Sequence, residues 1–207
     1  PSRGQVRVGG RDMVAQAREA ASLLGYVPDE PCLYDKLSGR EFLEFVARLR
    51  GFSAAETAAR IVRQTEDFRL GDFLDTLIES YSHGMKQRLT FASALLHDPA
   101  VLVVDEPTVG LDPRSVRVLK DILRDRAARG TTVFISTHTL AVAEEIADRI
   151  GIIHRGRLCF LGTHDEIVRQ LQSERLSLEA MFLRLTEEGE SGEAISSPAA
   201  GEELLGG

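Results

Sequence analysis

A chain of 207 residues is long enough to bury a sizeable core and fits one medium domain, or one domain carrying an inserted subdomain. Its 43% hydrophobic and 28% charged residues are ordinary for a soluble globular protein, and a net charge of −7 has the wrong sign for a protein that lives on nucleic-acid phosphate. No apolar run approaches the ~18 residues of a membrane span and no signal-peptide core opens the chain, so a soluble, intracellular protein is expected.

The chain begins at Pro1, and Ser2-Arg3-Gly4-Gln5 has the character of mid-domain sequence, which suggests a fragment. Gln5-Val6-Arg7-Val8 alternates polar and apolar and ends at Gly9-Gly10, the pattern of a short strand and turn. A helix is predicted from Val14 to Leu23, then a buried strand at Tyr26-Val27 stopped by Pro28. From Gly39 to Phe68 the period is helical: Phe42, Phe45, Val46 and Leu49 share one face, and a second helix from Ala54 carries Ile61, Thr65 and Phe68. The stretch 31–78 has no strand signal and reads as a helical insertion. Met85 to Leu96 is helical again, with Leu89, Ala92 and Leu96 on one stripe. Val101-Leu102-Val103-Val104 is a continuous apolar run, as in a parallel strand buried on both faces. A helix from Arg114 to Ala128 closes at Gly130, a buried strand follows at 132–136, and another helix runs from Leu140 to Ala147. The runs Ile150 to Ile153 and Arg157 to Leu161 flank Arg155-Gly156, a hairpin signal. Helices near Glu166–Leu171 and Leu178–Leu185 complete the pattern, and from Gly189 the Gly, Ser, Glu, Ala and Pro content predicts a disordered tail over 189–207. Alternating strands and helices give an α/β fold with a mainly parallel core sheet. Cys32 and Cys159 have no metal-ligand spacing and are read as small core residues.

The strongest local signal is Val101-Leu102-Val103-Val104-Asp105-Glu106-Pro107. An apolar strand carries its last carboxylate to the C-terminal edge of a parallel sheet, where α/β proteins bind ligands. Asp105 there suits Mg²⁺, which takes few protein carboxylates, and Glu106 can polarise an attacking water. Two solvated acids ending a core strand fit the same residues. Ser82-His83-Gly84-Met85 opens a helix, where free N–H groups favour phosphate, with Ser82 as N-cap and Gly84 allowing close approach. A merely capped helix explains that segment equally. His138, directly after a strand, is by itself more often structural than catalytic, and Asp112 in Leu111-Asp112-Pro113 reads as a turn and helix cap. The remaining histidines show no metal-ligand spacing.

In combination and in this order, Tyr81-Ser82-His83-Gly84-Met85-Lys86-Gln87-Arg88, Leu102-Val103-Val104-Asp105-Glu106-Pro107-Thr108, Gly110-Leu111-Asp112 and Ser136-Thr137-His138 resemble the ABC ATPase family, over Pro1 to about Glu188. The resemblance implies a P-loop NTPase-like core over 1–188 with its helical subdomain at about 31–78. By that resemblance, Ser82 and Gly84 belong to the signature loop that binds the γ-phosphate of ATP held by the opposite protomer. Asp105 matches the Walker B carboxylate on Mg²⁺, Glu106 the catalytic base, His138 the switch histidine and Asp112 the D-loop acid. Gly25-Tyr26-Val27-Pro28-Asp29-Glu30 resembles the Q-loop, with Asp29 where the family has Gln.

The usual signature Leu-Ser-Gly-Gly-Gln is altered here by Tyr81, His83 and Met85, while Ser82 and Gly84 are kept. Walker A, Gly-x-x-x-x-Gly-Lys-Ser/Thr, is missing: none of Lys36, Lys86 and Lys120 follows a glycine. The opening resembles the segment after the Walker A helix, so the phosphate cradle and the adenine-stacking aromatic are expected upstream of Pro1. These residues alone are not expected to hydrolyse ATP. The Tyr26–Tyr34 and Ser82–Arg88 segments, with Ser177 to Thr186, look like ATPases of bacterial type-two exporters. That implies ATP and Mg²⁺ as cofactors, a homodimer or paired nucleotide-binding domain, and an integral membrane permease docked on the insertion. It further implies a cytoplasmic place, peripheral on the inner face of the cell membrane, and no nucleic-acid partner. The alternatives are a soluble ABC ATPase acting on DNA or ribosomes, against which stand the acidic charge and the lack of a sustained heptad, and a non-catalytic remnant.

Overall fold

The computed structural model describes residues 3–108, 111–170, 178–180 and 182–183. Internal contacts divide the chain into two units, residues 1–136 and 137–207.

The first unit opens on a hairpin of β1 (Arg7–Val8) and β2 (Arg11–Asp12), turning through Gly9 and Gly10, both at positive φ. Next come α1 (Ala17–Ser22), shorter than the predicted helix, and β3 (Leu24–Val27). Two longer helices follow, α2 (Gly39–Leu49) and α3 (Ala54–Asp67). Each begins in a capping box: Ser38 with Glu41, and Ser53 with Glu56, exchange side-chain and backbone hydrogen bonds that satisfy otherwise orphaned N–H groups. A 3-10 turn at Ile78–Ser80 leads to α4 (His83–Ala94), β4 (Val101–Asp105), α5 (Pro113–Ala128) and β5 (Thr132–Ser136).

The predicted rotation of α2 is corrected. Gly39, Phe42, Leu43 and Ala47 face the core, whereas Phe45 and Leu49 are exposed. The cause is a close approach at the helix start: a Cβ on Gly39 would lie 2.4 Å from the Tyr81 hydroxyl, so this glycine fixes which face turns inward. Phe45 instead meets Tyr34 edge to face at 5.6 Å.

Strands β3, β4 and β5 form one parallel sheet in that order, in the register Tyr26–Val103–Phe134 and Asp105–Ser136. Helix α4 packs on β3 and α5 on β5. Gly25 admits the end of α4, since a Cβ there would lie 2.7 Å from the Ala94 carbonyl oxygen. On this side Val27, Leu102 and Val104 are fully buried. The expectation of strands buried on both faces is corrected by the other side: Tyr26 is 54% exposed and Phe134 62%. Apolar runs report strand propensity, not how many layers cover the sheet. Cys32, expected in the core, is exposed, on the segment 28–35 that carries no helix or strand; Cys159 is half-buried.

The second unit holds α6 (Leu140–Ile146), the antiparallel pair β6 (Ile150–His154) and β7 (Arg157–Gly162), and α7 (His164–Gln170). Arg155 and Gly156 both take positive φ, the requirement of a type I′ hairpin turn. Ile150, Ile152, Phe160, Ile167 and Leu178 form its core. Of the helix predicted over Leu178–Leu185, residues 178–180 and 182–183 are described and helical, and the tail predicted from Gly189 lies outside the described residues.

Candidate functional site

The parallel sheet delivers two acids to its C-terminal edge. Asp105 is the last residue of β4, half-buried, and its register partner on β5 is Ser136. The Ser136 hydroxyl donates to Asp105 Oδ1 at 2.5 Å, and its carbonyl accepts from the Glu106 N–H at 2.9 Å. Glu106 has φ of +44°, a left-handed conformation that non-glycine residues rarely adopt. That backbone turns the chain out of the strand direction immediately after Asp105, so the two adjacent carboxylates are carried by backbone of opposite hand. Strain of this kind concentrates at sites where it serves a geometry. Sequence reasoning passed over Ser136 as an individual residue, although a hydroxyl one rung from the strand-end acid was its signal.

Ser82 caps α4, its hydroxyl accepting from the Met85 N–H at 3.3 Å while the Met85 sulfur accepts from the Ser82 N–H at 3.4 Å. Gly84, at the second position of this 12-residue helix, has an N–H with no acceptor inside the helix. A Cβ there would meet only Leu111 Cδ2, at an ordinary 3.7 Å. The packing of this chain therefore has no need of glycine at 84, unlike at 25 and 39. Leu111 leads into Asp112, the N-cap of α5, which accepts from the N–H groups of Arg114 and Ser115 at 2.9 and 3.1 Å and from the Ser115 hydroxyl. The Ser115 hydroxyl foremost, with these N–H groups, holds the Asp112 carboxyl below the usual carboxylate range. Gly84 and the residue before Asp112 thus stand side by side.

Asp29 is exposed on the segment that leaves β3, beyond the Val27–Val104 pair, on the same edge as Asp105. His138 is exposed in the second unit, one residue before Thr139 at the start of α6. Gly110 lies outside the described residues. Asp105 fits a magnesium ion: one oxygen is ordered by Ser136, and Mg²⁺ binds through one or two carboxylates while keeping its waters. For a triphosphate the described residues offer the open N-terminus of α4 but no lysine within a glycine-rich nest.

The description "ABC transporter" matches residues 1–109 as a family. The chain is 35% identical over 196 residues to the daunorubicin resistance ATP-binding protein DrrA3 of Streptomyces coeruleorubidus, covering 95% of this chain and 60% of that protein. It is 31% identical to the ABC-type transporter ATP-binding protein EcsA of Bacillus subtilis, with 91% and 76% covered. A solved structure described as the ATP binding subunit of an ABC transporter superposes with a TM-score of 0.82 at 33% identity, covering 90% of this chain and 78% of that one. The chain spans little more than half the length of several relatives, 54% for the DrrA protein of Streptomyces peucetius.

Proposed function

Because this chain belongs to the ABC transporter family, we propose that it is the larger part of an ATP-hydrolysing subunit that powers an exporter. The observation that carries this reading is the Asp105–Ser136 rung with Glu106 turned aside at positive φ. In this reading Asp105 holds Mg²⁺, which supplies charge neutralisation on the phosphates when bound. Glu106 accepts the proton of the attacking water, and His138, in the second unit, is read as the switch histidine from the sequence resemblance alone. Ser82 and Gly84 serve the nucleotide of a partner copy, for which the open backbone at Gly84 gives support, and Asp112 belongs to the same dimer interface. Asp29 stands at the hinge into the helical insertion.

The exporter assignment is favoured by relatives whose names describe drug resistance and, in Mycobacterium tuberculosis, fluoroquinolone export. No helix among the described residues is long and apolar enough to cross a membrane, so the membrane path would belong to a separate permease. Tyr34, Phe45, Leu49 and Leu77, exposed on the insertion at about 31–78, offer that permease an apolar surface at the inner face of the membrane. The exposed Tyr26 and Phe134 on this side of the sheet support a further layer carrying the phosphate cradle that these residues lack. The 207 residues alone should then show no ATP turnover.

The test is Glu106→Gln in the intact ATPase. It keeps size and hydrogen bonding but removes basicity, so hydrolysis should slow about 10²–10⁴-fold while ATP binding persists. An ATP-bound dimer should accumulate on sizing with ATP and Mg²⁺. Undiminished hydrolysis overturns the role of Glu106, and a persistent monomer overturns the paired site.

A further inference from the structure

Two stretches of the first unit that are far apart in sequence, 34–41 and 74–86, lie side by side and are fastened repeatedly. The Ile78 and Glu79 N–H groups donate to the carbonyl oxygens of Leu37 and Asp35 at 2.9 and 3.1 Å, and the Arg40 N–H donates to that of Leu74 at 2.9 Å. Ser38 and Leu77 form an antiparallel bridge between them. Ion pairs follow the same seam: Lys36 with Glu79 at 2.5 Å, Arg40 with Asp75 at 2.5 Å, and Lys86 with Asp35 at 3.1 Å.

The first two of these ion pairs stay beside the backbone bonds, whereas the third continues past them onto α4. The Lys86 N–H donates to the Ser82 carbonyl oxygen at 3.0 Å, closing the turn that contains Ser82 and Gly84. That first turn holds no acidic residue, where α2 and α3 have Glu41 and Glu56. A cation near the positive end of a helix is disfavoured unless a carboxylate offsets it, and Asp35 brings that carboxylate from the other stretch. Asp35 directly follows Tyr34, which is exposed and meets Phe45 edge to face in the apolar surface of the insertion. The side chains of Lys86 and Asp35 are 30% and 59% exposed, so the pair is weak enough to open and re-form.

We propose that Asp35 and Lys86 are positioning residues whose ion pair couples the apolar surface around Tyr34 to the helix start carrying Ser82 and Gly84. A partner that moves Tyr34 draws on Lys86 and so on the first turn of α4. A phosphate that engages that turn is felt, in the other direction, at Tyr34. Coupling between two binding events is reciprocal, so one pair serves both directions. This regulation rests on the nucleotide reading of Ser82 and Gly84 given above.

Tyr34 and Tyr81 stand one residue from Asp35 and Ser82, and the chain has three tyrosines, so 3-fluorotyrosine places a fluorine NMR reporter at each end of the pair. The signals are assigned by Tyr34→Phe and Tyr81→Phe. In the protein carrying Glu106→Gln, which keeps ATP unhydrolysed, ATP with Mg²⁺ should shift both signals. Asp35→Asn or Lys86→Gln should abolish the Tyr34 response and leave that of Tyr81. Asp35→Lys combined with Lys86→Glu, which reverses the pair, should restore it, and Lys36→Gln, which opens only the neighbouring pair, should leave both responses. The ATP concentration for half-maximal response at Tyr81 should rise about two- to fivefold in either single variant, the scale of an exposed pair, and no further when both are combined. A Tyr34 response that survives both single variants, or losses that multiply in the double variant, overturns the coupling. So does bound ATP without movement at Tyr34. Failure of ATP to bind, read separately by equilibrium dialysis, overturns the nucleotide reading and the coupling with it.

Discussion

Ser136 donates its hydroxyl hydrogen bond to Asp105 while its carbonyl accepts from the Glu106 N–H, so one serine orders both acids at the sheet edge. Groups that orient a metal-binding carboxylate typically matter about 10–100-fold for metal affinity or activity. In the ATPase proposed above, Ser136→Ala should raise the Mg²⁺ concentration for half-maximal hydrolysis by that order, with little change in unfolding midpoint. Ser136→Thr, which keeps the hydroxyl, should restore it. An unchanged magnesium titration in Ser136→Ala would remove Asp105 from the metal.

Gly84→Ala separates fold from function by sign. The position is helical, not at positive φ, and the added methyl would meet Leu111 at an ordinary distance, so stability should rise by about 0.5–1 kcal/mol. If the backbone there must approach phosphate, ATP hydrolysis should fall by about a hundredfold, the scale of a displacement near 1 Å at a reacting group. Thermal unfolding and steady-state hydrolysis on the same preparation read both quantities. Raised stability with full activity means that Gly84 touches no ligand.

What was legible in the sequence follows the range of the forces involved. The I′ turn at Arg155-Gly156, the stop at Gly130 and the cap at Ser82 are set by neighbouring residues, and each stands where its local pattern put it. The Asp105–Glu106 strand end was legible as well, because a polar break after an apolar run is also local. The inward face of α2 was not, since it turns on contact between Gly39 and Tyr81, far apart in the chain. The exposure of Tyr26 and Phe134 was equally hidden, because the same apolar residues suit a sheet covered on one side or on two.

Arg126, with a side chain 7% exposed, binds Asp67 at 2.8 Å and Asp98 at 3.4 Å, and Asp98 also accepts from Arg60 and Arg63. This joins α3, the turn before β4 and the last turn of α5. Removing one partner of a buried pair costs about 3–5 kcal/mol, less where water reaches the charge left behind. Both aspartates are partly exposed, so Arg126→Met should cost about 1–3 kcal/mol in urea unfolding with an unchanged m-value. Asp67→Asn should cost less, because Arg126 retains Asp98.

His97 gives the first unit an acid sensitivity. Burial foremost, with Arg50 nearby, lowers its pKa from 6.5 to about 4, while Nε2 sits 3.2 Å from the Leu24 carbonyl oxygen. The folded state then binds fewer protons than the unfolded chain between these two values, so stability should fall as pH drops through 6.5 and continue to fall until about 4. In His97→Gln the difference in urea midpoint between pH 7.5 and 5, both approximate settings within reach of the titration, should shrink. An equal difference in both proteins assigns the acid response to other groups.

The parallel pairing of β3 with β4 also sets a timetable for making the molecule. Leu24 finds its register partner only at Val101, so β3 is synthesised about 75 residues ahead of the strand it needs. At about 5–20 residues per second, some 4–15 s pass before that partner emerges. During this interval α2 and α3 can form from local contacts, each with its own Ser–Glu cap, while Leu24 to Val27 wait with their ladder groups unpaired. Helices assemble first and the sheet last, and the newborn chain is most open to wrong strand pairing in the stretch between them.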